Sequence, residues 1–389
     1  IGKMKSAVSE ASAPARRGRI AVVAMFMVNG ALFGTWAARI PAFVERFALN
    51  EGDLGRLLLG LAGGAILAFP LAGRLSDRIG AARATRRLAL VFVLLFPGLA
   101  LAPGFWSLAA LLVLFGAFYG AMDVTMNAFA SEVERAQGRP IMASFHGMWS
   151  LGAGLGALGG WLAVAGGYGP AAHFATASII FGVPALAAAM TPWESVRSVS
   201  RPGFAAPPRA LLLVGLVAFS ASVGEGAMAD WSALFLIAVA QTNEATAALG
   251  YAVYSAAMVI ARLSADRVIL SLGPVTSARL GGVLALGGVL LALAGQSLGT
   301  ALTGFGLMGL GYSVMIPLAF SRAANQPGLS PGQAIAGVAT LGYGGMLLGP
   351  VIIGAISHAA SLAVGFGVLA VLAGAIIALA GVMAPARQD

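Results

Sequence analysis

The 389-residue chain has no cysteine, three histidines, 14 acidic residues and only 10% charged side chains. The missing cysteines exclude a disulfide framework and any thiolate metal site. The shortage of charge excludes more. A soluble domain covers its surface with about 25% charged residues, and this chain has less than half of that share. Nor does any loop gather the His, Asp or Cys cluster that a membrane-embedded enzyme requires near an interface. No filter or ring sequence of a channel is present either. These absences argue against an enzyme and against any metal or cofactor site.

What is present is apolar: 59% hydrophobic residues and 54 glycines, with a mean hydropathy of +0.91. Such a surface has to face lipid. Runs of roughly 20 apolar residues cross the ~30 Å of hydrocarbon, and the sequence carries twelve. They lie at 20–44, 54–73, 87–103, 106–130, 140–165, 171–192, 210–237, 246–265, 279–296, 298–321, 333–357 and 360–383. The fold class is therefore an all-α membrane protein with twelve transmembrane helices. Residues 1–19 are polar, and the run after them is too long for a cleaved signal peptide.

The net charge of +9 would point a soluble protein towards nucleic acid. Here the cations sort by side instead. With both termini in the cytoplasm, twenty of the 23 Lys and Arg fall in inside segments, Arg262 and Arg267 among them. Only Arg39, Arg46 and Arg56 fall around the first outside loop. That asymmetry is the positive-inside rule, and it predicts a multi-pass protein of the bacterial inner membrane with the bilayer, not nucleic acid, as its surroundings.

The segment 193–209, WESVRSVSRPGFAAPPR, reads as a solvated linker. It divides the chain into a tail (1–19), a first six-helix bundle (20–192), a second (210–383) and a tail (384–389). The halves echo each other. Trp36 and Trp231 are 195 residues apart, as are Leu54-Gly55 and Leu249-Gly250, and Asp77-Arg78 recurs as Asp266-Arg267. Weak internal symmetry at this spacing marks secondary transporters built from repeats. The pairs Gly60/Gly64, Gly116/Gly120, Gly156/Gly160 and Gly345/Gly349 are small-xxx-small spacings for close helix packing.

After the second run the sequence reads Gly73-Arg74-Leu75-Ser76-Asp77-Arg78-Ile79-Gly80, followed by Arg83, Arg86 and Arg87. This resembles the signature of the major facilitator superfamily between its second and third helices, with Ala81-Ala82 intervening before the arginine cluster. The segments WAARIP (36–41), MDVTMNAFASEVE (122–134), FHGMWSLG (145–152), EGAMADWSALFL (225–236) and LGYGGMLLGPVIIG (341–354) resemble its MosC/YbjJ-like branch. The resemblance implies two pseudo-symmetric six-helix bundles and a monomeric transporter working by alternating access. It implies a small polar solute: a sugar, polyol or amino-cyclitol-like compound. It also implies that Gly73, Asp77, Arg78, Gly80 and Arg83 form a conformational latch, mirrored by Asp266 and Arg267. A multidrug or metabolite exporter on the same fold is the alternative.

Ionisable groups in lipid cost at least ~2.5–3.5 kcal/mol, so each needs a reason. Asp123, with Asn127 one turn on, and His146 lie at similar depth and could meet as a proton relay. Glu225, between two glycines, is a substrate or proton site, and Asp230 a further proton-coupling carboxylate. Arg39 lies at the depth of Asp230, and the two are expected to pair as an outer gate. Asn29, Asn127 and Tyr312, on central helices, and Trp36, Trp149, Trp231 and Tyr343 complete the expected solute site with Glu225, the aromatic faces stacking on a sugar-like ring. His173 and His358 are expected in solvated outer loops.

Overall fold

The apolar runs fold into helices because a backbone in hydrocarbon has to satisfy its hydrogen bonds within each segment. The computed structural model describes residues 13–137, 141–195, 209–295, 297–327 and 331–385. Among these, twelve helices are long and apolar enough to cross a membrane. They are α1 (Pro14–Phe47), α2 (Glu51–Ile79), α3 (Ala81–Leu101), α4 (Phe105–Gln137), α5 (Ser144–Ala165), α6 (Pro170–Ala189), α7 (Leu212–Ala238), α8 (Glu244–Ala265), α9 (Pro274–Gly295), α10 (Leu298–Ala323), α11 (Gly337–Ala359) and α12 (Leu362–Met383). An even number of crossings returns the chain to its starting side, so α1 begins and α12 ends at what we call the terminus end.

Several helices outrun the hydropathy windows. The helical backbone of α1 starts at Ala13, inside the segment read from hydropathy as a tail, and α4 continues to Gln137. Hydropathy marks only the part in lipid; a helix continues into water wherever its backbone bonds do. Irregular stretches have local causes. A π turn over Ser178–Gly182 ends where Pro184, lacking an N–H, follows in the next turn of α6. In α10 the helix breaks between Tyr312 and Met315.

The two halves pack alike. α1 lies on α5 as α7 lies on α11, α2 on α4 as α8 on α10, and α3 on α4 as α9 on α10. Glycine permits this closeness. On α1, Gly30 and Gly34 face the backbone of Trp149 and Ala153, and on α5 Gly152 and Gly156 face Met27 and Ala31. A Cβ at any of these four would collide with a carbonyl oxygen. Gly64, Gly116 and Gly345, each from one of the expected pairs, likewise meet neighbouring backbone.

The helices that join the halves are α2 with α11 and α5 with α8. Trp36 and Trp231, the pair 195 residues apart, are both fully buried, and their indole N–H groups find no acceptor among the described residues. Gly80 and Gly273 end the helices after the two Asp-Arg pairs, at φ +88° and +78°, conformations that favour glycine. The repeat is thus visible in backbone shape as well as in sequence.

The tail residues 1–12 and 386–389 and the linker residues 196–208 lie outside the described residues. So do Arg139-Pro140 and Ser330, and the Asp266 side chain.

Candidate functional site

Between the halves lies a cavity of about 230 Å³. The first half contributes Phe33 from α1, Leu61, Ala65 and Phe69 from α2, Tyr119 and Asp123 from α4, and His146, Trp149 and Ser150 from α5. The second half contributes Ser222, Glu225 and Gly226 from α7, Tyr251, Tyr254, Ser255 and Arg262 from α8, Ile316 from α10, and Tyr343 and Met346 from α11. Eight helices line it, four from each half.

Its polar groups form two clusters on opposite walls. On the α4 side, Asp123 Oδ1 accepts from Asn127 Nδ2 at 3.1 Å, and the same amide donates to the Asp123 carbonyl at 2.9 Å. Helical spacing of four residues places the amide there. Tyr343 of α11 donates to Asp123 Oδ2 at 3.4 Å, which makes this a bond between the halves. On the α8 side, Arg262 Nη1 donates to Ser150 Oγ at 2.8 Å, again between halves, and Nη2 reaches both Glu225 oxygens at 3.4 Å.

Arg262 corrects the sequence reading. The charge asymmetry places it with the cytoplasmic cations, but it lines the cavity from within α8. The signal was available: Arg262 lies inside the apolar run 246–265. Near a span's end, however, a topological arginine and a functional one look identical in sequence.

Of the expected solute-site residues, Trp149, Glu225 and Tyr343 line the cavity, and the other five do not. Asn29 is buried behind it, accepting from Trp149 Nε1 at 2.8 Å and donating to the Tyr119 carbonyl at 3.4 Å. Asn29 therefore positions Trp149 and Asn127 positions Asp123. Trp36 and Trp231 are packed away from the cavity, and Tyr312 lies against Gly224 behind Glu225.

Asp123 and His146 both line the cavity but do not bond to each other; Asp123 is held by Asn127 and Tyr343, while His146 stands edge-on to Phe26 at 5.2 Å. Asp230, 8% exposed, is buried outside the cavity, with no hydrogen bond among the described residues.

At the end opposite the termini the halves are closed. Arg39 Nε lies 3.3 Å from Glu244 Oε1 at the start of α8, and its Nη1 donates to the Tyr168 carbonyl at 3.1 Å. The expected partner Asp230 is not used: Glu244 stands at the helix entrance, where the long arginine side chain reaches it. At the same end Gly55 of α2 and Gly354 of α11 meet, backbone against backbone. His173 belongs to the buried part of the same end at 7% exposure, contrary to its expected solvation, because α6 starts at Pro170 and carries it inward. His358 is exposed.

At the terminus end, Gly80 takes its positive φ where the chain passes Ser195, whose Cβ lies 2.7 Å from any Cβ built on the glycine. Ser195 Oγ accepts from the Ala82 amide at 3.0 Å. Arg78, Arg83 and Arg267 are exposed, Asp77 and Gly73 half-buried. Glu134 accepts from the Ile141 and Met142 amides at 2.6 Å each and so caps the helix that enters α5. Among the described residues no group of three or more His, Asp or Glu is placed to hold a metal ion.

The sequence matches the Major Facilitator Superfamily profile over residues 20–329. The chain belongs to that superfamily. This transporter is 43% identical to transporter y4wD of Sinorhizobium fredii, over 93% of this chain and 97% of the relative. It is 35% identical to the membrane protein MosC of Rhizobium meliloti, over 93% and 89% of the two chains. Its fold is similar to the nucleoside transporter NupG, with a TM-score of 0.72 at 11% identity over 95% and 98% of the chains. It is also similar to a bacterial homologue of the lysosomal transporter Spinster in an inward-facing, unoccupied conformation, with a TM-score of 0.70 at 14% identity over 96% and 95%. Membrane transport, not enzymatic catalysis, is the activity of this family.

Proposed function

We propose that this transporter carries a small polar solute of sugar, polyol or amino-cyclitol type across the bacterial inner membrane by alternating access, coupled to protons. It would act as a monomer with both termini in the cytoplasm. The observation that carries the reading is the cavity, which lies between the halves and gathers Asp123, Glu225, Arg262 and His146 in one place. Ionisable groups in a membrane span are expensive, and four on one cavity mark a route for polar cargo or protons.

The cavity lies below the ~300–1,000 Å³ range of sites for drug-sized ligands. That favours a compact solute over the bulky hydrophobic cations of a multidrug exporter. Trp149 and Tyr343 present aromatic faces to it, and Ser150, Ser222 and Ser255 supply hydroxyl partners.

In alternating access the Arg39–Glu244 pair and the Gly55–Gly354 contact hold the outer end shut, while the Asp77-Arg78 loop acts as the latch at the cytoplasmic end. The net positive terminus end supports the assigned orientation. MosC, its name aside, brings no solute to the argument, and the nucleosides of NupG belong to NupG.

The test is uptake in proteoliposomes of a panel of radiolabelled polyols, sugars and amino-cyclitols, with and without an inward proton gradient. Accumulation that follows the gradient supports the reading. Transport that ignores an imposed gradient removes proton coupling, and promiscuous binding of hydrophobic dyes with polar solutes silent replaces the reading by the exporter.

A further inference from the structure

Arg262 is the cavity's one Lys or Arg among the described residues, and its side chain is 16% exposed. Its partners are unequal. The bond to Ser150 is 2.8 Å, but the approach to Glu225 is 3.4 Å to both oxygens. A guanidinium and a carboxylate that grip each other close to about 2.7–2.9 Å. Glu225 therefore occupies the guanidinium loosely, and several of its five N–H donors stay free.

There is room beside them. A Cβ on Gly226, which lines the cavity, would meet nothing within 4 Å. His146 is exposed to the same cavity and makes no side-chain hydrogen bond among the described residues. A cation with spare donors, a second unused donor and open space form a receptor for an anionic oxygen pair.

We propose that Arg262 is the specificity-determining residue of the cavity and receives a carboxylate of the solute, which makes the cargo a small hydroxylated acid of the sugar-acid class. This rests on the reading of the cavity as the transport site, and it replaces the neutral or amine-bearing solute of that reading by a hydroxylated acid. Glu225 is the resident stand-in for the cargo. When Glu225 takes up a proton, its hold on the guanidinium falls, and the incoming carboxylate takes its place. One proton and one carboxylate enter together, so the charge of the cavity is the same before and after. That balance matters where an uncompensated charge is costly.

The other groups facing this exchange are Asp123 from α4, His146 from α5, Tyr251 and Tyr254 from α8 itself, Tyr343 from α11, and Tyr312 behind Gly224. Asp123 is occupied by Asn127 and Tyr343, and it would be the receptor if the cargo were an amine.

The experiment is equilibrium binding to the purified full-length protein of gluconate, glucuronate, myo-inositol and glucosamine at pH 5.5 and 7.5. Both acids are ionised at both pH values. The expected result is acid binding about tenfold tighter at pH 5.5, and Glu225→Gln binding the acids tightly at both pH values. Arg262→Gln loses the acids at least tenfold, and Arg262→Lys, which keeps the charge without the fork, recovers part of the loss. Loss of acid binding in Glu225→Gln would overturn the proposal. Binding of myo-inositol or glucosamine with the acids silent would overturn it too, while leaving the solute-transporter reading in place. Silence of all four, together with no exchange of any of them in proteoliposomes, would count against both.

Discussion

Arg39 on α1 and Glu244 at the start of α8 form an ion pair at 3.3 Å that ties the two halves together at the end opposite the termini. Arg39 is buried in this arrangement, so its charge depends on Glu244 and on the Tyr168 carbonyl. Nε and Oε1 approach without hydrogen-bond geometry, and the Glu244 side chain is 27% exposed, so removing its charge costs about 0.2–1 kcal/mol.

Glu244→Gln is therefore expected to loosen the end opposite the termini. A cysteine pair at Gly55 and Gly354 should cross-link less readily in that background, and no native cysteine interferes. Unchanged cross-linking would show that the closure does not depend on the ion pair.

The two helix-ending glycines should respond differently to alanine. Gly80→Ala meets both a positive φ and the Ser195 side chain, whereas Gly273→Ala meets a positive φ with open space around it. With ψ of 144° at Gly80 and 160° at Gly273, both sit in the extended positive-φ region that a Cβ disfavours by on the order of 1–3 kcal/mol. Gly273→Ala should cost about that much in melting experiments and Gly80→Ala clearly more. Equal losses would mean that the Ser195 contact gives way freely.

Gly34→Ala should lower the melting temperature more than Gly63→Ala. The first drives a Cβ onto the Ala153 carbonyl, while the second has nothing within 4 Å. Overpacking of this kind costs roughly 1–3 kcal/mol.

Asp123→Asn keeps a side chain able to bond Asn127 and Tyr343 but removes the charge. Proton-driven accumulation should fall at least tenfold in proteoliposomes, while exchange without a gradient persists. A mutant that accumulates solute like the wild type would remove Asp123 from coupling.

The twelve spans and the cavity carboxylates were legible because lipid imposes a strong rule: apolar runs span it, and charges within them need a reason. Asp123, His146 and Glu225 line the cavity as that rule suggests. Helix azimuth was not legible. In a membrane helix the lipid face and the packed face are both apolar, so nothing in the pattern told Trp36, Trp231 and Tyr312, which face neighbouring helices, from Trp149 and Tyr343, which face the cavity. Partner choice was equally hidden. Arg39 and Asp230 share a depth, but depth does not say that α8 begins beside Arg39 and offers Glu244 first. Arg262 was masked by the charge asymmetry on which the expected topology rests.

The most direct test of the central claim, that solute crosses through the cavity between Asp123 and Arg262, is equilibrium exchange in proteoliposomes. The solute would be one that stabilises the purified wild-type protein, and the comparison is wild type against Arg262→Gln and a cavity-filling Ser222→Trp. The account predicts that both variants insert and melt as folded proteins yet exchange that solute at least tenfold more slowly. Undiminished exchange in both would contradict it.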